Sequence, residues 1–287
     1  MARIFAIANQ KGGVGKTTTC VNLSASLAAM QQRVLLVDLD PQGNATMGSG
    51  IDKWGVERSI YDVLVRRDPV KLVAQSTPEG GFDVLPANGD LTAAEVELLE
   101  VEQRERRLRT ALMEVAADYD FILIDCPPSL NMLTLNGLVA ADGVIIAMQC
   151  EYYALEGLSA LVETINGVAQ SANPELKIAG LLRTMYDPRN SLTNEVSAQL
   201  HEHFAGQVYR TVVPRNIRLA EAPSHGLPVI HYDRNSRGAK AYMALAGEII
   251  RREEKAASVA EFVAEPVAGE GDDAGVTWYT AAQREKS

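Results

Sequence analysis

The sequence predicts a doubly wound α/β fold, a mostly parallel sheet with helices on both faces. Three observations predict it. Apolar, β-branched runs alternate with segments of helical period, several of those runs are apolar throughout, and the first leads into a glycine-rich loop that opens a helix. Strands covered on both faces read as continuous apolar runs, whereas strands with one wet face alternate.

The expected strands, in chain order, are Ile4–Ala8, Val34–Val37, Phe82–Leu85, Phe121–Ile124, Val144–Met148, Ile178–Leu182 and Val208–Val213. Between the first two, Thr17–Met30 places Cys20, Leu23, Leu27 and Met30 on one helical face. Leu158, Leu161, Val162, Ile165 and Val168 repeat that pattern later. The last helix is expected from Gly238 through Arg252. Beyond it, Pro266–Gly275 contains Gly-Glu-Gly-Asp-Asp without periodicity and reads as a disordered tail. The expected organisation is one domain over residues 1–252 and an acidic, disordered tail over 253–287.

Composition narrows the class. Apolar residues are 47% and charged residues 22% of 287, as in a globular protein with a substantial core. Three cysteines, Cys20, Cys126 and Cys150, lie far apart without a C-x-x-C pair, which disfavours a disulfide framework or a tetrahedral zinc site. No leader pattern and no apolar stretch of the ~20 residues a membrane span needs is visible, so a cytoplasmic location is expected. The net charge is −10, but residues 253–287 hold eight acidic and three basic side chains, and the body holds 29 acidic and 24 basic. A body so nearly balanced has room for a local basic face.

The glycine-rich segment is Lys11-Gly12-Gly13-Val14-Gly15-Lys16-Thr17-Thr18, and the ordinary phosphate-loop pattern fails only at Gln10, where it asks for glycine. Glycines let backbone N–H groups turn inward around phosphate oxygens, and the helix start aims its positive end at the same charge. Lys16 is placed to bridge β- and γ-phosphates, Thr17 to ligate Mg²⁺, and Thr18 to meet the α-phosphate. A turn made for packing alone does not account for two lysines and two threonines among these eight residues.

Carboxylates stand at strand ends, where ligands bind in such sheets. Strand alternation puts Asp38 and Asp40 on one side of the chain, and Asp125 follows Phe-Ile-Leu-Ile as an acid that holds a metal-bound water does. Turn capping before Pro41 and Pro127 explains any one of these aspartates, but not all three beside the loop. No histidine or glutamate presents itself as a strong general base, which suits a slow ATPase gated by conformation.

The lysine at position 11 resembles the first lysine of the deviant Walker A motif, K-G-G-x-G-K-[ST], shared by ParA/Soj, MinD and the nitrogenase iron protein. Asp125-Cys-Pro-Pro-Ser129, Gln149-Cys-Glu-Tyr-Tyr-Ala-Leu-Glu-Gly157, Val213-Pro-Arg-Asn-Ile-Arg218 and Glu221-Ala-Pro-Ser-His-Gly226 extend the resemblance over about residues 2–250. They are similar specifically to chromosomal ParA/Soj partitioning ATPases. That resemblance implies ATP and Mg²⁺ as cofactors and a nucleotide-sandwich homodimer. Lys11 reaches the partner's nucleotide, with Gly12 giving close approach at the two-fold axis. Lys11, Lys16 and Asp40 are then the catalytic residues, Asp40 orienting the attacking water, and Asp38 and Asp125 serve the metal through water. Nucleotide contacts fall on residues 11–18, Val14 included, with Pro214 and Asn216 flanking the adenine and Glu151 approaching the partner's nucleotide.

The same resemblance implies sequence-independent binding to double-stranded DNA, association with the nucleoid, and stimulation of hydrolysis by a ParB-type centromere-binding protein. Arg189 and Arg218 match the family's DNA-contacting arginines in context. Arg215, Arg234, Arg237, Lys240, Arg251 and Arg252 are further phosphate-directed candidates. His225, in a proline-flanked loop, reads as structural. The rivals lack features. A MinD-like membrane-surface ATPase needs a basic amphipathic C-terminal helix, and this end is acidic. The iron protein needs cysteine contexts that Cys126 and Cys150 do not supply, and the related tyrosine kinases carry a tyrosine cluster where this tail has Tyr279. A small-molecule amidotransferase or ligase stays open.

Overall fold

The computed structural model describes residues 1–152 and 154–264. Eight strands form one sheet in the order β3-β4-β2-β5-β1-β6-β7-β8. They are β1 (Arg3–Ala8), β2 (Val34–Asp38), β3 (Gln75–Ser76), β4 (Asp83–Leu85), β5 (Phe121–Asp125), β6 (Gly143–Gln149), β7 (Lys177–Tyr186) and β8 (Val208–Pro214). All pairings are parallel except β3 with β4. The expected fold class is the observed one.

Alternation along each strand builds two cores. Ile4, Ala6, Leu35, Val37, Ile122, Ile124, Val144 and Ile146 face one helical layer, including α5 (Arg107–Met113), α6 (Met132–Ala140), α7 (Ala154–Ser171) and α8 (Ser191–His203). Phe5, Ile7, Leu36, Leu123, Ile145 and Ala147 face the other, where α1 (Lys16–Ala29) and α11 (Arg237–Ala264) pack. In α7 the buried residues are Leu158, Leu161, Ile165 and Val168, four of the five on the expected stripe.

Short helices complete the loops: α2 (Asn44–Gly48), α3 (Val70–Val73), α4 (Leu91–Glu97), α9 (Ile217–Glu221) and α10 (Val229–Tyr232), with a π-helical turn at Asp62–Arg66. The sheet edge at β8 is covered. The buried Glu248 carboxylate of α11 accepts from the Arg210 and Thr211 N–H groups at 2.9 and 3.0 Å and from the Thr211 hydroxyl at 2.9 Å. That satisfies donors an open edge would offer to another chain. Where the β7–β8 register shifts, the buried Arg183 guanidinium donates to the Tyr209 carbonyl at 2.8 Å and to Ser197 Oγ at 2.8 Å.

The terminal helix differs from expectation. It starts at Arg237, one residue before the expected Gly238, and runs on through Ala264, well past Arg252. Compact packing divides the chain at Ile250: residues 1–250 form the body, and the described part of the second unit continues the helix. The Glu-Glu-Lys-Ala-Ala segment that follows is built from good helix formers, so charge alone did not end the helix. The Pro266–Gly275 stretch, expected to be disordered, lies outside the described residues. No described helix is long and apolar enough to cross a membrane.

Candidate nucleotide site

Parallel pairing brings the key strand ends together. Asp38 and Asp125 are directly paired in the β2–β5 register, and Ile7, one residue before the strand β1 ends, is paired with Asp125. Both aspartates lie on the α1 side, continuing the Leu36 and Leu123 alternation. Both are buried, with 0% and 1% exposure, so each charge there has to be matched by a donor or a proton.

Asp38 has donors. Its Oδ1 accepts from the Asp40 N–H at 3.1 Å, and its Oδ2 accepts from the Thr46 N–H and hydroxyl, both at 2.8 Å. The Thr46 hydroxyl in turn accepts from the Ala87 N–H at 2.9 Å, which directs its proton to Asp38. Asp125 has few. Its Oδ1 takes a weak S–H contact from Cys20 at 3.5 Å, while Oδ2 is buried without a partner. Burial, then the charge of Asp38, holds the Asp125 carboxyl well above the usual carboxylate range. Burial also raises Asp38, against its Thr46 and Asp40 bonds. The proton of this pair therefore sits on Asp125, and Asp38 is the carboxylate.

The loop before α1 is open to a ligand. Gly13 and Gly15 hold φ of 73° and 88°, the left-handed region that glycine enters freely. No side chain caps the N-terminus of α1, which leaves its first N–H groups for a ligand. The Val14 side chain is buried beneath the loop, and its carbonyl accepts from the Thr184 hydroxyl at 2.7 Å. Lys16 is 7% exposed, its Nζ donating to the Lys11 carbonyl at 3.3 Å; burial lowers its pKa while Asp125 pulls it back up. Asn9 anchors the loop entrance, accepting from the Lys11 N–H at 2.9 Å and donating to the Ala147 carbonyl at 2.8 Å.

Lys11 points elsewhere. Its side chain is 47% exposed, and Nζ forms an ion pair with Glu151 at 2.6 Å. Asp40 is half-buried, with Oδ1 accepting from the Gln42 N–H at 2.9 Å. Gly12, Gly13, Lys16, Thr17, Thr18 and Asp40 surround one concavity, together with Asn44, Pro128 and Met185, which sequence reasoning missed.

A second slot of about 290 Å³ adjoins it, sharing Gly15, Thr18 and Met185. Pro214 and Asn216 line this slot beside Thr184, Val213, Leu219 and Tyr242. The Asn216 Oδ1 caps α9 by accepting from the Arg218 N–H at 3.0 Å. Tyr242 reaches Thr19 of α1 at 3.1 Å between hydroxyls. The shape, one apolar slot joined to a ring of phosphate donors, suits a nucleotide.

The donor set of the cleft fits Mg²⁺. Thr17, Asp38 and Asp125 offer hard oxygen donors, and Asp125 Oδ2 is buried without a hydrogen-bond partner. Among the described residues, no group of three or more His, Cys, Asp or Glu side chains is placed to hold a metal ion by itself. The three cysteines are free and buried, and burial pushes their thiols up.

The arginines are exposed, and several are paired. Arg189, Arg215 and Arg237 line one concavity of about 350 Å³ with Tyr186 and Pro214. Arg189 forms a two-toothed pair with Asp187 at 2.7 and 2.9 Å, which holds that carboxyl at about 2. Arg218 lies outside this concavity and pairs with Glu221 at 2.7 Å and Asp233 at 3.3 Å. Arg234, Lys240 and Arg251 are exposed and Arg252 is half-buried. His225 stacks on Tyr232 at 4.9 Å between ring centroids.

Residues 2–178 match a family model described as an AAA domain. The chain is 51% identical over 253 residues to the chromosome partitioning protein ParA of Myxococcus xanthus, covering 88% of this chain and 89% of that one. It is 53% identical over 249 residues to the sporulation initiation inhibitor protein Soj of Bacillus subtilis, covering 87% of this chain and 98% of that one. Among solved structures, it resembles cobyrinic acid a,c-diamide synthase from Mycobacterium smegmatis with bound ADP and magnesium. There the TM-score is 0.79 and the identity 39%, over 89% of this chain and 97% of that one.

Proposed function

The chain belongs to the ParA/Soj family of chromosome-partitioning ATPases, and from that premise we propose that it is a switch that binds DNA with ATP and releases it on hydrolysis. ATP hydrolysis follows from the family, and the finer steps rest on the site. The observation that carries the reading is the contrast between the two loop lysines. Lys16 is buried and lines its own cleft, whereas the Lys11 side chain is half exposed, is paired with Glu151 and is not among the residues that line that cleft. A cation with no task in its own site is available to a second subunit's phosphates.

In this reading the base occupies the Pro214–Asn216 slot and the phosphates lie against residues 12–18. Thr17, with Asp38 and Asp125 through water, would hold Mg²⁺, which would supply positive charge to the bound phosphates. Asp38 also fixes the backbone of Asp40, whose carboxylate orients water for attack. Lys11 from the partner adds positive charge where the transition state gathers negative charge. Closure of the homodimer joins two arginine surfaces, raising affinity for double-stranded DNA without sequence readout. A ParB-type protein that contacts the dimer accelerates turnover, and the protein works on the nucleoid in the cytoplasm.

The experiment is Lys11→Ala. Nucleotide affinity should stay within about threefold, since an exposed ion pair contributes little. Turnover should fall by at least tenfold, and ATP-induced dimerisation in light scattering should weaken. Unchanged turnover contradicts the reading.

The likeness to the diamide synthase supports a second reading, ATP-driven amidation of a small carboxylic acid. Phosphate release with no acid or nitrogen donor present favours the switch. An absolute requirement for both would favour the synthase.

A further inference from the structure

The Asp62–Arg66 turn and α5 border a cavity of about 330 Å³ that shares no lining residue with the nucleotide cleft. Arg67 and Arg107 both line it. Neither guanidinium has an ion pair or hydrogen bond among the described residues, and Arg107 Nε is buried without an acceptor. Buried donors in folded proteins are paired in the great majority of cases, so an orphan beside a cavity marks a place for an acceptor. Burial and then the neighbouring charge of Arg67 lower the affinity of Arg107 for its proton. Two like charges lining one space are unfavourable until an anion joins them.

The backbone supports the same conclusion. Arg67 and Gln103 both line the cavity with left-handed φ of 65° and 52°. Arg67 ends the π-helical turn, a position where glycine is the unstrained residue. Strain of this kind clusters at ligand sites, as do π-turns. Arg67 holds there a conformation that glycine would hold without strain. Asp68, Glu102 and Glu114 also line the cavity, and Asp68 is paired with Arg58 at 3.7 Å. These acids repel a triphosphate or a nucleic-acid backbone but leave room for one weakly charged group.

We propose that Arg67 and Arg107 form a binding site for a small oxyanion of one or two charges, a carboxylate or a phosphate group, separate from the nucleotide cleft.

The test uses full-length protein carrying Lys16→Ala, so that the phosphate loop does not respond. Inorganic phosphate and succinate are titrated against sodium chloride at matched ionic strength. Thermal midpoint and hydrogen exchange over residues 62–68 and 101–111 are followed. Saturable stabilisation by one or both anions, with slowed exchange in those segments, is expected, and which anion acts separates phosphate from carboxylate. Adding Arg67→Gly should remove the response by tenfold or more in affinity while leaving the anion-free midpoint equal or higher, because glycine relieves the φ of 65°. A purely structural arginine would instead lower that midpoint. Equal effects of phosphate, succinate and chloride overturn the proposal, as does a full response in the Arg67→Gly protein.

Discussion

The phosphate end of the cleft and the arginine flank beyond β7 and β8 handle charge in opposite ways. At the phosphate end Lys16, Asp38 and Asp125 are buried: Lys16 donates to the Lys11 carbonyl, Asp38 accepts from Thr46 and the Asp40 N–H, and Asp125 keeps its proton beside Cys20. On the flank Arg189 and Arg218 are exposed and neutralised by Asp187, Glu221 and Asp233. Buried charge is costly to place and costly to remove, so it is organised before the ligand arrives. Exposed pairs exchange partners for little free energy, so the flank suits reversible contact with many phosphates. One end is built for chemistry, the other for competition.

Removing the buried cation should give the largest effect. Lys16→Ala leaves the phosphates facing Asp38, Asp40 and Asp125 without their nearest positive charge. ATP affinity in equilibrium titration should fall on the order of 100-fold or more. A loss of under fivefold would mean that the buried end is not where the phosphates sit.

The proton on Asp125 gives the next effect. Its folded pKa is raised above the unfolded value, so the stability it contributes is complete below the ordinary carboxylate range and is lost as pH rises toward the folded pKa. Asp125→Asn should flatten that decline in the nucleotide-free protein and raise its stability at pH 8 by roughly 1–3 kcal/mol. In the parent protein, Mg²⁺–nucleotide binding should expel the proton and tighten by up to about tenfold per pH unit below that pKa. Calorimetry in buffers of different ionisation enthalpy reads the proton directly. No proton release near pH 7 would place the charge elsewhere.

The smallest effect belongs to the flank. Asp187→Asn frees Arg189 from its neighbour, and affinity for a non-specific duplex should rise about threefold at low salt, within the range of an exposed pair. An unchanged affinity would remove Arg189 from the proposed DNA surface.

Legibility followed the same division. The phosphate loop, Asp38, Asp40 and Asp125 are short linear patterns at strand ends, and one sheet brings them together. Asp38's main work was not legible, because its partner Thr46 lies a loop away and serves the Ala87 N–H as well. Thr184 and Tyr242 reach the loop and α1 from more than 160 residues away, and no local pattern marks them. Strand β3 is two residues of edge, below any periodic signal. The pairing of Arg189 and Arg218 did leave a signal, acids two residues before and three residues after. A count of arginines passed over it.

The central claim is that ATP in the buried end switches on the exposed one. Fluorescence anisotropy of a labelled duplex without any special site tests this most directly, with ATP, with ADP and with no nucleotide. Binding should appear with ATP and fall steeply with salt. It should vanish in Arg215→Glu/Arg237→Glu protein, whose altered side chains make no ion pair among the described residues and line the same concavity as Arg189. Equal binding with ATP and ADP, or full retention by the double variant, would contradict the account.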